Sequence, residues 1–270
     1  MNIDDYLARI GFEGTPRADL PTLFEIHRRH LLAIPYENID VQLGRPVDLD
    51  ISRIYRKLVE QRRGGWCYEM NGLLGWALGE IGFDVKRVTG GVMRVVRGDD
   101  ALGNHLVLTV DLDGELWVAD AGFGDGVLEP LRLTAGPIEQ RGFEYRLERL
   151  PDGLWRFHNH AFGGAPSFDF STAPADESLL LEKCNYLQTS PESPFVLSLV
   201  CQRFVPGGYE IQLGKLAKRV TPAGPETWLL RSPAELVSRL ESVFGLNVPE
   251  VAGLWPRIVE RHDEVMARRG

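Results

Sequence analysis

Arg63-Gly64-Gly65-Trp66-Cys67-Tyr68-Glu69-Met70-Asn71-Gly72-Leu73-Leu74 is the stretch on which the reading of this chain turns. The two glycines interrupt whatever precedes them. Beyond Cys67, the apolar residues Met70, Leu73, Leu74, Ala77, Leu78 and Ile81 recur at three- and four-residue steps, the spacing of a helix that faces a core. Cys67 therefore falls in the first turn of that helix. Unpaired backbone N–H groups and the helix macrodipole favour negative charge there, so the thiol is expected to lose its proton more easily. The thiolate is the reactive form. The glycines are expected to let backbone approach the sulfur closely. A free cysteine is ordinarily a small buried hydrophobe; a base within reach of the sulfur is what makes it a nucleophile.

A base is legible further on. Asp113-Gly114 separates Leu106–Leu112 from Leu116–Ala119, a strong hairpin signal. With a two-residue turn there, Leu112 opposes Glu115, Val107 opposes Asp120, and His105 shares a face with Asp120. Such diagonal neighbours stand roughly 7–8 Å apart at the backbone, within reach of longer side chains. A carboxylate so placed fixes the imidazole tautomer and stabilises its protonated form. A slip of one residue would put the two on opposite faces. Cys67, His105 and Asp120 together have the layout of a thiol acyl-transfer enzyme. Local sequence does not show that the helix docks on the hairpin.

Around these residues the pattern is helices, then strands, then a mixed end. Asn2 or Asp4 heads a short helix ending near Gly11, Asp19 one that breaks at Ile34-Pro35, and Asp50 one that ends at Gly64-Gly65. Strands are expected over 84–96, 106–112, 116–119, 143–150, 154–157, 195–204, 208–213 and 226–230. Pro151-Asp152-Gly153 marks a second hairpin. Ser232-Pro233-Ala234-Glu235 is a capping box with proline at the first helical position, and the last 15 residues read as helical. The expected class is α+β, with a barrel or curled sheet in the centre.

Composition narrows the function. The chain has 270 residues, 44% of them hydrophobic, and a formal net charge of −8 without a basic stripe, which argues against nucleic acid. Its three cysteines, Cys67, Cys184 and Cys201, are widely spaced and form no CxxC pair, so neither a disulfide framework nor a zinc knuckle is indicated. A reducing cytoplasm is the expected setting. Cys184 and Cys201 read as core fillers. The N-terminus is acidic and is not a signal peptide, and no run approaches the ~18 apolar residues of a membrane span. His27 and His30 lack an acidic ligand in phase, and His158-Asn159-His160 would need distant help, so no metal is expected. Arg63 and Glu37 read as a buried pair tying the cysteine loop to the N-terminal helices. Gly122-Phe123-Gly124-Asp125-Gly126 reads as a glycine-rich turn whose amides can cradle phosphate. A monomer or weak dimer is the default.

Three motifs resemble the arylamine N-acetyltransferase family. They are Arg63-Gly64-Gly65-x-Cys67-x-Glu69-x-Asn71, Asn104-His105-Leu106 with Val118-Ala119-Asp120-Ala121-Gly122-Phe123-Gly124, and Ile34-Pro35-Tyr36-Glu37-Asn38. They cover roughly the first 130 residues, in order and at plausible spacing. Ala121 stands where many members are expected to carry valine. The resemblance implies an N-terminal helical bundle over 1–83 carrying the nucleophile. A central antiparallel β-barrel over 84–190 would carry His and Asp, and an α/β lid would span 191–270, with a cysteine-protease-like triad. It implies Cys67, His105 and Asp120 as catalytic groups in a ping-pong reaction, with acetyl-CoA as co-substrate and arylamines or arylhydrazines as acceptors. It raises the ligand-binding reading of Gly124 and Gly126 in the glycine-rich turn, with Phe123 lining the acceptor pocket. No permanently bound cofactor is implied. The alternative is a cysteine hydrolase or transglutaminase-like acyl transferase built on the same triad.

Overall fold

Side-chain caps start the first helices where the sequence places them. The structure is a computed structural model and describes residues 1–268. Asn2 accepts from the Asp4 N–H ahead of α1 (Ile3–Ile10), and Asp19 accepts from Thr22 at the start of α2 (Leu20–Ala33). Two short helices follow, α3 (Ile39–Gln42) and α4 (Ile51–Tyr55), the second capped by Asp50. The helix expected to reach Gly64 instead continues from α4 as one π-helical turn and stops at Glu60. The central helix α5 (Cys67–Ile81) begins at the cysteine, and Gly82 ends it in the left-handed region at φ 105°.

Residues 61–66 do not run straight into α5. Gly65 donates to the Pro35 carbonyl at 3.3 Å, and Glu37 donates to that of Gly65 at 2.9 Å, which adds this stretch to β1 (Tyr36–Glu37). A Cβ on Gly64 would lie 2.1 Å from the Pro35 oxygen, and one on Gly65 would lie 2.7 Å from the Glu69 Cβ. Glycine is required here by β1 and Glu69, not by an approach to the sulfur.

The middle of the chain is one antiparallel sheet. Its strands are β2 (Asp84–Val92), β3 (His105–Leu112), β4 (Glu115–Val118), β5 (Leu131–Arg132), β6 (Gly136–Gln140), β7 (Phe143–Arg149), β8 (Trp155–His158) and β9 (Ser167–Pro174). They lie in the order β5-β4-β3-β2-β9-β8-β7-β6. The sheet is curled but not closed, which corrects the expected barrel. Its edges approach where the Gln140 carboxamide exchanges two hydrogen bonds with the Glu129 backbone, each 3.1 Å. Side-chain bonds bridge the gap in place of a backbone ladder. At the decisive hairpin, Asp113 and Gly114 have φ 54° and 81°, so both turn residues have positive φ. Leu112 opposes Glu115 and Thr109 opposes Val118, the register expected.

Other expectations are revised. The strand from 84 ends at Val92; Met93 turns at φ 64° and opens α6 (Arg94–Arg97). After α7 (Glu177–Thr189), residues expected as strand from 195 belong to α8 (Pro194–Leu197), with Ser193 as its cap. The strand there is β10 (Val200–Val205). With β11 (Gly208–Leu213), β12 (Leu216–Thr221) and β13 (Gly224–Leu229) it forms a second sheet, ordered β1-β10-β11-β12-β13. Ser232 caps α9 (Pro233–Ser242) as expected, and α10 (Trp255–Ala267) ends the described chain. Residues 269 and 270 of the expected last helix lie outside the described residues. Among the described residues no helix is long and apolar enough to cross a membrane.

Beneath the start of α5 lies a cluster of five charged side chains. Arg63 donates to Glu37 at 2.7 and 3.1 Å and to Asp40 at 3.2 Å. Lys57 bridges Asp40 and Glu69, at 2.8 Å to each. Glu69 also accepts the Trp66 N–H at 3.2 Å, capping α5. Arg45 adds a third, more exposed cation 3.5 Å from Asp40, so three carboxylates face three cations. Burial pushes Glu69 up to about 6 against the pull of Lys57. Removing one partner from a buried ion pair leaves the other desolvated. Glu37→Gln is therefore expected to lower stability by roughly 3 kcal/mol in urea unfolding. Unchanged stability in that titration would rule out this tie.

Candidate active site

Three bonds dock α5 on the start of β3 and the two residues before it, and they bracket His105. The Tyr68 hydroxyl donates to the Gly103 carbonyl at 2.7 Å. The Cys67 thiol faces the Asn104 carbonyl at 3.8 Å. Asn71 donates through Nδ2 to the Leu106 carbonyl at 2.5 Å. This is the docking that local sequence left open. Cys67 and Tyr68 open α5 and Asn71 lies one turn on, so their partners fall on either side of His105.

His105 and Asp120 meet as the hairpin register requires. The imidazole Nε2 lies 2.8 Å from Asp120 Oδ2. Asp120 Oδ1 also accepts from Asn71 Nδ2 at 2.7 Å and from the Gly122 N–H at 2.8 Å. Burial pushes this carboxyl up. The charge of His105 and the three donors outweigh burial and hold it below the usual carboxylate range. The ring of His105 is packed edge-on against Phe168, at 5.0 Å, and Phe123, at 6.0 Å. Gly90 makes room: a Cβ there would lie 3.2 Å from His105 Cδ2 and 2.9 Å from Val107.

Cys67 departs from expectation in its electrostatics. It is 3% exposed. Burial pushes its thiol well above the ordinary value, and the Leu106 and Tyr68 backbone N–H groups only partly oppose this. The helix start therefore does not suffice to ionise it.

The glycine that approaches the cysteine is Gly122. A Cβ there would lie 2.8 Å from Cys67 Cα, 2.9 Å from its carbonyl oxygen and 2.6 Å from Asn71 Nδ2. Gly124 sits at φ 85° with its missing Cβ 1.8 Å from Gln202 Oε1. Gly126 accepts the Tyr145 hydroxyl at 3.1 Å. Asp125, between them, accepts the Gly164 N–H at 2.5 Å and Asn159 Nδ2 at 3.2 Å, and burial pushes it up to about 6. The glycines of this turn are thus packed against protein, while Phe123 is half-buried over an apolar recess with Val127, Leu131, Leu147, Phe157 and Phe168. Glu37 and Arg63 stand outside this constellation, in the charged cluster below α5. Among the described residues no group of His, Cys, Asp or Glu is placed to hold a metal ion. Cys184 and Cys201 are buried and free.

Sequence reasoning assigned nothing to Asn71 beyond its place in a motif. Four residues after Cys67, it occupies the same helix face one turn on, and that spacing was the available signal. Its Oδ1 also accepts the Ala121 N–H at 2.8 Å. A Gly122→Ala replacement pushes backbone against backbone here. The expected cost is about 1–3 kcal/mol in urea unfolding. Gly253→Ala, with open space around its Cβ, is expected to stay within about 0.5 kcal/mol. Equal effects at the two glycines would refute the close contact.

Comparison with known proteins places the whole chain. A family model described as N-acetyltransferase matches residues 19–252. The chain is 38% identical over 262 residues to an arylamine N-acetyltransferase of Mycolicibacterium smegmatis, covering 94% of each. It superposes on a solved M. smegmatis arylamine N-acetyltransferase with a TM-score of 0.86 at 36% identity, covering 96% of this chain and 98% of that one. It also matches the Mycobacterium marinum arylamine N-acetyltransferase solved in complex with CoA, at TM-score 0.86 and 31% identity, over 98% and 99% of the two chains. The chain belongs to the arylamine N-acetyltransferase family, and is an acyltransferase.

Proposed function

We propose that the chain transfers an acetyl group from acetyl-CoA to arylamines or arylhydrazines in two steps, through an acetyl-Cys67 intermediate. The observation that carries this is the seating of the Cys67 sulfur against the strand residues flanking His105, with His105 itself bonded to Asp120. Because Asp120 occupies Nε2, Nδ1 is the nitrogen left for the thiol. His105 takes the thiol proton, and Asp120 stabilises the imidazolium. The thiolate attacks the thioester carbonyl, the carbon–sulfur bond to CoA breaks, and the imidazolium proton goes to the departing CoA sulfur. The acceptor amine then attacks acetyl-Cys67. Its proton passes to His105, the amide forms, and the Cys67 thiolate is released.

Oxyanion charge in both steps needs donors. The backbone N–H of Cys67 and a neighbouring strand amide are assigned that role. Phe123 is assigned to the acceptor wall, supported by its ring over the apolar recess beside His105. Gly124 and Gly126 are assigned to the donor side through backbone contacts. The CoA held by the M. marinum relative supports a CoA thioester as donor.

Brief exposure to acetyl-CoA without acceptor is expected to add one acetyl group, ~42 Da from the covalent chemistry, to Cys67. Mass spectrometry should locate it, and an arylamine should discharge it. Cys67→Ala should carry no adduct and no turnover; turnover in that variant would sink the mechanism. An acyl group lost to water at the same rate with and without amine would instead indicate a hydrolase.

The pH dependence follows from burial. Without an imidazolium beside it, a thiol held well above the ordinary ~8.5 is ionised to less than the ~3% of a free thiol at pH 7. His105→Ala is therefore expected to slow iodoacetamide alkylation of Cys67 at pH 7 by on the order of 100-fold, with recovery only in strongly alkaline buffer. Rapid alkylation of that variant at pH 7 would refute the ion pair.

A further inference from the structure

His27 and His30 lie on α2, fully buried, and the acyl transfer uses neither. His30 is occupied by the Tyr6 hydroxyl, 3.0 Å from its Nδ1. His27 faces the active-site segment. Its Nδ1 lies 2.9 Å from the Leu128 carbonyl oxygen. A carbonyl only accepts, so Nδ1 carries the proton and Nε2 is the bare nitrogen of the neutral ring. Nε2 is buried and without a partner among the described residues. The Nε2 of His30 is unpaired in the same way, so what sets His27 apart is its bond to Leu128, 101 residues along the chain.

Residues 120–128 carry Asp120 at one end and Leu128 at the other. His27 contacts this stretch at its far end. It bonds Leu128, while the charge and backbone of Asp120 favour its protonated form against the larger effect of burial. The rest of α2 backs the same region: Arg28 comes within 3.7 Å of Glu129, and Phe24 packs edge-on against Trp117 at 5.4 Å.

We propose that His27 is a positioning residue for the acyl transfer: its Nδ1–H holds the Leu128 end of residues 120–128 to α2, which fixes where Asp120 and Phe123 stand relative to His105. This rests on the reading of Cys67, His105 and Asp120 given above. The bond has a defined geometry, so it separates two polar replacements. The carboxamide nitrogen of Asn reaches the place of Nδ1. That of Gln reaches the place of Nε2 and leaves the Leu128 carbonyl without its donor.

The test compares His27→Asn and His27→Gln with wild type in single-turnover acetylation and in the pH profile of Cys67 alkylation. His27→Asn is expected to stay within about threefold of wild type, and His27→Gln to lose about tenfold or more in kcat with the KM for acetyl-CoA unchanged. The alkylation profile of His27→Gln should move to higher pH, because a displaced Asp120 stabilises the His105 imidazolium less. A purely structural histidine would lower the melting temperature of both variants and leave the profile in place, and that result overturns the proposal. Should neither variant fold, nitrogen-15 spectra of wild type decide. A neutral ring with the proton on Nδ1 at pH 7 upholds the bond, and a proton on Nε2 alone overturns it. Wild type that forms no acetyl-Cys67 would refute the acyl-transfer reading. Wild-type acetylation with equal rates in both variants would refute only the role of His27.

Discussion

The Asp120 carboxylate is where helix, strand and loop meet. It accepts at once from His105 on β3, from Asn71 on α5 and from Gly122 in its own loop. A carboxylate this deeply buried is costly unless paired and hydrogen-bonded. Three donors offset that cost and hold it ionised. Each donor also constrains a different element, so one buried charge sets the mutual position of all three. Gly122 makes the arrangement sterically feasible, since any side chain there would wedge loop and helix apart.

A second set of charges does comparable work on the far side of α5. Glu37, Asp40, Lys57, Arg63 and Glu69 join β1, α3, the π-turn and the helix start. Glu69 contributes twice, as ion-pair partner and as the first-turn side chain that accepts the Trp66 N–H. Its carboxylate sits at a helix N-terminus, where backbone N–H groups favour negative charge. The helix that carries Cys67 is thus pinned at its base by charges and along its face by Tyr68 and Asn71.

What was legible in the sequence follows from how local the determinants are. The hairpin register was readable because Asp113-Gly114 permits one tight turn, and period two then forces His105 and Asp120 onto one face. The helix starts were readable because caps are local. The docking of α5 was not, since it depends on Tyr68 and Asn71 finding carbonyls more than thirty residues away in sequence. Residues 195–204 misled because a short apolar run looks alike as strand or helix; the Ser193-Pro194 cap was the overlooked signal. Helix α7 buries only Leu180, Cys184 and Leu187, too thin a stripe to stand out. The sheet reads as a barrel from strand count alone, because closure is decided by whether β5 and β6 pair.

Burial sets the terms of the proposed chemistry. A helix start favours an anion by about 0.3–1 kcal/mol, and by ~2 at most, or roughly 1.5 pKa units at 1.36 kcal/mol each. Desolvation moves a fully buried group by up to about 3–5 units. Burial therefore wins at Cys67, and its thiolate needs a cation buried with it. In the proposed mechanism that cation is His105, and Asp120 is what makes an imidazolium tolerable in an aromatic pocket. The charges form a chain of dependence: Asn71 and Gly122 hold Asp120 ionised, Asp120 supports His105, and His105 supports the thiolate. The same burial then favours reaction. In the proposed mechanism acylation converts a desolvated thiolate and imidazolium into a neutral thioester and a neutral ring, so the penalty on the charged pair is relieved as the acetyl group arrives.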